Sequence, residues 1–398
     1  MKRRALLTTF AFLGGAAAVV LSMDQFGYLR KIWYRLEDLF SAPPAPVPPE
    51  QRKDFVLPQG GRKVSLEKAL NSRCTSDGDG NPRKFHWGMF DPLKRITSSQ
   101  VAEVARLAKV PRFTDGTLSV RASGNVLTVV VGAPKSSSSL DSVMVEGGMM
   151  QQAICLVCSA LGIGNVFENL GVSGTKINDR EIGTVELVLD AMVPGYGGSC
   201  WTDAAPEGGP VPSSGGFPLP RRDGSKPLLD ILRTLKVESS NGREASNEDI
   251  GQLLWAARGR TPHYVKSEPR GITIPTWGGD QTISSVWIVA DGSISKYRNW
   301  EKRTWAHGLE SARKFDRERW ETLRKAFDPF DTLIVFAKHE QPARALWEVG
   351  YQLLNAIAQA SALDLRYKAI LLDRGRKPIV QATGIEDPVA VLLLKSKP

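Results

Sequence analysis

The sequence predicts an α+β protein built as two related domains in tandem behind an N-terminal hydrophobic helix. Three observations predict it. An uncharged stretch, Ala5 to Met23, follows a Lys-Arg-Arg cluster. A series of apolar segments in one half of the body recurs in the same order in the other half. Between the halves lies a stretch rich in Pro, Gly and Ser, Ala204 to Gly216.

Composition bounds the possibilities. At 398 residues, with 42% hydrophobic and 24% charged residues, the chain is neither a disordered polymer nor a polytopic membrane protein. A net charge of +10 is spread along the chain without a long basic block, so nucleic acid is not an expected partner. Four cysteines do not make a disulfide framework, and only Cys155 and Cys158 lie close together. His86, His263, His307 and His339 show no metal-ligand spacing, so no metal is expected.

Taken in order, the first element is residues 1–23, read as a membrane anchor or export signal. An uncharged helix of this length just spans a bilayer core of about 30 Å. Lys2, Arg3 and Arg4 hold its start in the cytoplasm and send the rest across. Two readings stay open: an uncleaved anchor with the bulk of the chain on the periplasmic side, and a twin-arginine export signal, which Arg3-Arg4-Ala5-Leu6-Leu7 resembles. Residues 24–50 come next. Phe26, Leu29, Ile32, Trp33 and Leu36 fall at helical spacing, and a proline-rich spacer, Ser41 to Pro49, comes after them.

The body divides into a first domain, 51–200, a linker, 201–216, and a second domain, 217–398. Phe55-Val-Leu-Pro58 recurs as Phe217-Pro-Leu-Pro220, each followed by a short amphipathic stretch. Leu127 to Val131 matches Thr332 to Phe336 as a buried strand. Met144 to Leu161 aligns with Leu346 to Leu363 as a long helix, with Glu146/Glu348, Gly148/Gly350 and Ser159/Ser361 identical at constant offset. The closing strands are Thr184 to Leu189 and Val389 to Leu394. Ordered matches of this kind predict an internal repeat. The halves are unequal: only the second shows Asn247 to Ala257, a capped amphipathic helix, followed by the Gly271 to Gly279 loop and an apolar run, and the first reads as having lost that block.

These residues resemble the nitroreductase superfamily, nearest its thiazole/oxazole-peptide dehydrogenase branch. The resemblance rests on a succession: Leu-Pro, amphipathic helix, Arg-containing turn, Gln252-Leu-Leu-Trp-Ala-Ala257, Pro275-Thr-Trp-Gly-Gly279, strand, Glu-x-Gly helix and closing strand. It covers essentially all of 217–398 and the two ends of 55–200. Family members are α+β FMN enzymes, usually homodimers with flavin at the interface, so the resemblance implies two tandem nitroreductase-like domains that form a pseudo-dimer within one chain. It also implies a cofactor set. Ser72 and Arg73 stand at the family's Arg turn, with Lys236 and Arg243 as the basic residues of the second copy. Pro275, Thr276, Trp277, Gly278 and Gly279 stand at a loop contributed across the interface. Asn169, Leu170 and Gly171 lie in a glycine-rich stretch, Gly162 to Gly174, at the flavin's ring edge. The losses in the two copies are complementary, so one FMN per chain is expected.

With a flavin carrying the hydride, no catalytic side chain is required. Cys155 and Cys158 then read as core residues, and Glu146 and Glu348 as structural carboxylates opening their helices. Two functions stand as expectations. One is an FMN-dependent oxidoreductase, supplied with electrons by a membrane quinol or a partner protein. The other is a flavin-less, membrane-tethered scaffold or binding protein that keeps the fold. Convergence of Arg73, Arg243 or Lys176 on one phosphate-sized pocket separates them.

Overall fold

In the computed structural model, the residues described are 49–73, 75–77, 90–134, 139–168, 181–192, 216–261, 264–265, 268–269, 271–275, 283–301, 304–327, 329–339, 342–373 and 375–395. The expected anchor and nearly all of the spacer lie outside them. The chain forms two compact units, 1–48 and 49–398, and the described residues all belong to the second.

The first half carries helices α1 (Leu66–Ser72), α2 (Ser98–Leu107) and α3 (Leu140–Leu161). Its strands are β1 (Thr75–Asp77), β2 (Leu118–Ser123), β3 (Val126–Gly132), β4 (Ile163–Glu168) and β5 (Glu181–Ala191). They lie in the order β1-β4-β5-β3-β2, antiparallel except for the β1–β4 pair. The second half carries α4 (Leu228–Thr234), β6 (Glu238–Ser239), α5 (Asn247–Arg258), β7 (Ser284–Ala290), β8 (Ser293–Glu301) and β9 (Thr304–Leu309). It continues with α6 (Arg317–Ala326), β10 (Thr332–Lys338), α7 (Pro342–Ala362), β11 (Tyr367–Leu371), α8 (Arg376–Thr383) and β12 (Pro388–Leu394). Its strands run β9-β8-β7-β10-β12-β11-β6. From β1 to β2 and from β6 to β7 the two sheets pass through their elements in the same succession. A short strand after the first helix comes first, then the strand after the long helix, the closing strand, and the two strands that precede the long helix.

Local chemistry sets these elements. The β-branched run of β3 alternates between faces and suits a pleated, buried strand. In the β7–β8 hairpin Asp291 and Gly292 both take positive φ, 45° and 66°, the backbone of a tight two-residue turn. Ser139 caps α3, and Gly162, at φ 69°, ends it in the left-handed conformation.

The centre of the unit is the crossing of α3 and α7. A Cβ placed on Gly148 would stand 2.0 Å from the carbonyl oxygen of Trp347, and one on Gly350 would stand 2.1 Å from that of Val145. The helices therefore meet backbone to backbone. Apolar residues of both halves share the surrounding core. Alternate residues of the second sheet, Leu333, Val335, Val391 and Leu393, face away from it into a smaller cluster under α6 and α8. Among the described residues α3 is the helix long and apolar enough to cross a membrane, and it is buried in this core.

Three expectations are corrected. The first half does possess a capped helix between Arg73 and Leu127: Thr97 and Gln100 form a reciprocal capping box on α2. It escapes a search for apolar periodicity because only Val101 and Val104 are buried. Among the described residues the first half has no counterpart of β8, β9 and α6, which follow β7 in the second. Next, Gly162 to Glu168 is not loop; Gly162 is the helix stop and the rest is β4, with Val166 and Phe167 in the core. Finally, Glu146 and Glu348 do not open their helices. They sit in the second turn, wholly buried, where each anchors chain from the preceding loop or strand. Glu146 accepts from the Phe113 and Thr114 N–H groups at 2.5 and 2.8 Å and pairs with Arg112 at 3.0 Å. Glu348 accepts from Arg258 at 2.7 Å and from the Ser284 hydroxyl at 2.5 Å.

Candidate functional site

The C-terminus of α1 delivers Ser72 and Arg73 to the junction of the two halves. Ser72 donates back to the Lys68 carbonyl at 2.7 Å, and its oxygen lies 3.1 Å from that of Ser159 on α3. Arg73 leaves the helix in extended conformation and is buried. Its guanidinium crosses to the second half: Nε donates to the Thr273 carbonyl at 3.1 Å, and Nη2 to the Ile272 and Ile274 carbonyls at 2.8 and 3.0 Å.

Residues 272–275 are thereby fixed to both central helices. The Thr273 carbonyl also accepts from Gln152 of α3 at 3.0 Å and from Asn355 of α7 at 3.3 Å. Gln152 and Asn355 bond each other at 2.9 Å. The Thr273 N–H and hydroxyl reach back to the carbonyls of Gly259 and Trp255. Pro275, buried, comes directly after.

Electrostatically, Arg73 is unusual. Burial pulls its pKa down from 12.5 to about 10, opposed weakly by the neighbouring Cys155 and Tyr351. Each of its hydrogen bonds goes to a neutral carbonyl, and among the described residues no carboxylate pairs with it. Nη1 is buried without a hydrogen-bond partner, as is Oε1 of Gln152. A buried cation without a counter-charge is costly to hold in a low-dielectric interior. The N–H groups of Nη1 are the donors that an anionic oxygen would satisfy.

The other expected residues have different surroundings. Arg243 does not join Arg73. It makes a bidentate pair with Asp249, 2.6 and 2.7 Å, and this pair together with the Ser246 cap holds the Asp249 carboxyl down at about 2 against its burial. Arg73 and Arg243 thus have separate partners and do not converge on one pocket. The sequence carries the signal for it: Ser246-x-x-Asp249 is a capping box whose acid also offers a fork to a nearby arginine. Lys395 pairs with Glu238 at 2.8 Å. Asn169, Leu170, Gly171, Lys176, Thr276, Trp277, Gly278 and Gly279 lie outside the described residues. Gln152, Asn355 and Thr273 take part in the cluster without having been singled out from sequence, because long-range contacts between two helix faces leave no local pattern. Cys155 and Cys158 are buried, and neither is in a disulfide among the described residues.

No family model matches the chain, and neither does any curated protein. Solved structures do resemble it. A candidate nitroreductase from Ralstonia eutropha is 19% identical, covers 46% of this chain and 89% of its own, and superposes with a TM-score of 0.36. One from Anabaena variabilis is 12% identical over 68% of this chain and 69% of its own, with a TM-score of 0.44. One from Thermotoga maritima is 12% identical over 84% and 95%, with a TM-score of 0.34. Likeness at this level carries no chemistry across.

Proposed function

We propose that the chain is an oxidoreductase of nitroreductase-like fold, its two halves being copies of one unit, and that it holds one FMN where they meet. The observation that carries this reading is Arg73, a buried guanidinium with no counter-charge among the described residues and an unpartnered Nη1, set against residues 272–275 of the other half. These features fit an anionic group of the cofactor. Arg73 would hold it through Nη1, and the segment that continues from Pro275 would come from the second half. Bound FMN supplies hydride acceptance and donation at its N5. The chain's own work is positioning. Gln152, Asn355 and Arg73 together fix the Thr273 carbonyl and so the approach of the 272–275 segment. The packed helices α3 and α7 exclude water behind it. In the same reading, residues 1–23 place the chain at a membrane, where a quinol or a partner protein supplies electrons.

The second reading is a flavin-less tethered scaffold. It is favoured by one observation: Arg243 is held by Asp249 and three of the Arg73 bonds serve its own chain. An absorbance spectrum of the purified full chain, followed by titration with FMN, separates the two. The enzyme reading expects the visible bands of oxidised flavin at one per chain. It also expects Arg73→Met to weaken FMN uptake at least tenfold while Arg243→Met leaves it unchanged. A colourless chain that takes up no FMN gives the scaffold its place.

A further inference from the structure

The first sheet ends at β2, and among the described residues no strand pairs with the side of β2 that faces away from β3. The second sheet does not end at the equivalent place. There β7, which lies beside β10 as β2 lies beside β3, is followed by β8 and β9. Two cavities mark the same position in the two halves. In the second, about 130 Å³ between Arg258 at the end of α5 and the start of β7 is lined on its far side by Lys296 to Asn299 of β8. In the first, about 380 Å³ between the end of α2 and the start of β2 stands open.

This open groove has a definite chemistry. The Gly132 N–H donates to the Thr117 carbonyl. Antiparallel alternation then turns the backbone N–H and C=O groups of Leu118, Val120 and Ala122 outward, away from β3. Val110, Val120 and Met150 give it an apolar floor, and Met150 is the one residue of α3 between Ser142 and Cys158 that is not buried. Arg106, Lys109 and Arg112 line it, with no carboxylate among the lining residues. Glu103 holds Arg106 at 2.6 Å and the buried Glu146 holds Arg112 at 3.0 Å, while Lys109 is exposed with no described partner. Nearby, Arg121 pairs with Glu181, and Asp115 is exposed at the turn before β2.

We propose that β2 and this groove receive an extended acidic segment of a partner protein, which adds to the first sheet as the strand that β8 supplies in the second. An unpaired edge of this kind is a template for strand addition. The main chain supplies the affinity and alternate side chains the specificity. A second copy of this chain is the poorer occupant, because the lining it would bring to the groove holds no carboxylate for Lys109.

The test is fluorescence anisotropy with the full chain and a fluorescein-labelled heptapeptide alternating valine and glutamate. Binding is expected, with a valine–lysine peptide at least tenfold weaker. Lys109→Glu is expected to weaken the glutamate peptide about fivefold, the upper range for one exposed ion pair. Val120→Pro removes an outward N–H at a position where an edge strand tolerates proline, and is expected to abolish binding with the melting temperature retained. Should Val120→Pro not fold, Lys109→Glu and the lysine peptide decide the matter. The proposal is overturned if the glutamate peptide does not bind, or if folded Val120→Pro binds it as well as the parent chain. It is also overturned if the chain self-associates through this edge and Val120→Pro dissolves the dimer.

Discussion

Gly148→Ala tests the central crossing directly. The added methyl carbon would stand 2.0 Å from the Trp347 carbonyl oxygen and 2.8 Å from its carbon, where ordinary contact begins at 3.4 Å. The obstacle is backbone, so no side-chain rotation relieves it, and α3 and α7 must part. Alanine in place of glycine returns about 1 kcal/mol of helix propensity. Overpacking of a tight core costs about 1–3 kcal/mol and more where backbone must move. With the shortfall this large, a net loss of about 2–3 kcal/mol is expected from these opposing terms. The assay is urea unfolding followed by circular dichroism, read as a fall in midpoint at unchanged slope. Gly60→Ala is the control, since nothing lies within 4 Å of its added Cβ. Gly350→Ala should behave like Gly148→Ala, and the double variant should lose less than the two single losses combined, because helices already parted by one methyl have room for the next. A Gly148→Ala chain as stable as its parent would refute the backbone-to-backbone crossing.

Other outcomes concern the buried charges. Glu348→Ala strands Arg258, whose side chain is 5% exposed, and is expected to cost about 3–5 kcal/mol in urea unfolding, with Glu348→Gln costing less than half as much. Burial lowers the His307 pKa from 6.5 to about 4, beside a Tyr297 hydroxyl 2.8 Å away. Its neutral form belongs to the folded state, so the stability it contributes is intact above pH 6.5 and is lost as pH falls towards 4. About 3 kcal/mol at most is at stake, and His307→Asn should flatten the stability–pH curve across that window. Asp249, held down at about 2, protects the α5 cap until far more acidic conditions, so Asp249→Asn should weaken the fold at pH 7 and change little at pH 2.

The parts legible in the sequence are those whose signal is local. The strands at 127–131, 332–336 and 389–394 are continuous apolar runs of the length a buried strand needs, and α5 announces itself by cap and periodicity. The long helices stand out by length, and their paired glycines by alignment. Helix α2 does not, because a short helix at the surface buries too few apolar residues to set a period. The β7–β8 turn is written in Asp291-Gly292. At the candidate site, Arg73 is visible as a residue type in a turn, but its partners are not. It bonds backbone carbonyls about two hundred positions away, and carbonyls have no sequence signature. Arg243 misleads for the opposite reason, since a nearby acid at the start of α5 outcompetes the distant site.

That α3 and α7 belong to one polypeptide has a consequence for how their crossing answers to dilution. Two helices on separate chains would find each other at a rate and extent set by protein concentration. Joined in one chain, each meets the other at an effective concentration set by the chain between them and not by protein concentration. The Gly148–Gly350 crossing should therefore hold at nanomolar protein as at micromolar, with a melting temperature independent of concentration. Covalent connection also lets the two sides change separately. Glu146 answers to Arg112 and Thr114, whereas Glu348 answers to Arg258 and Ser284, and a substitution in either set is made once.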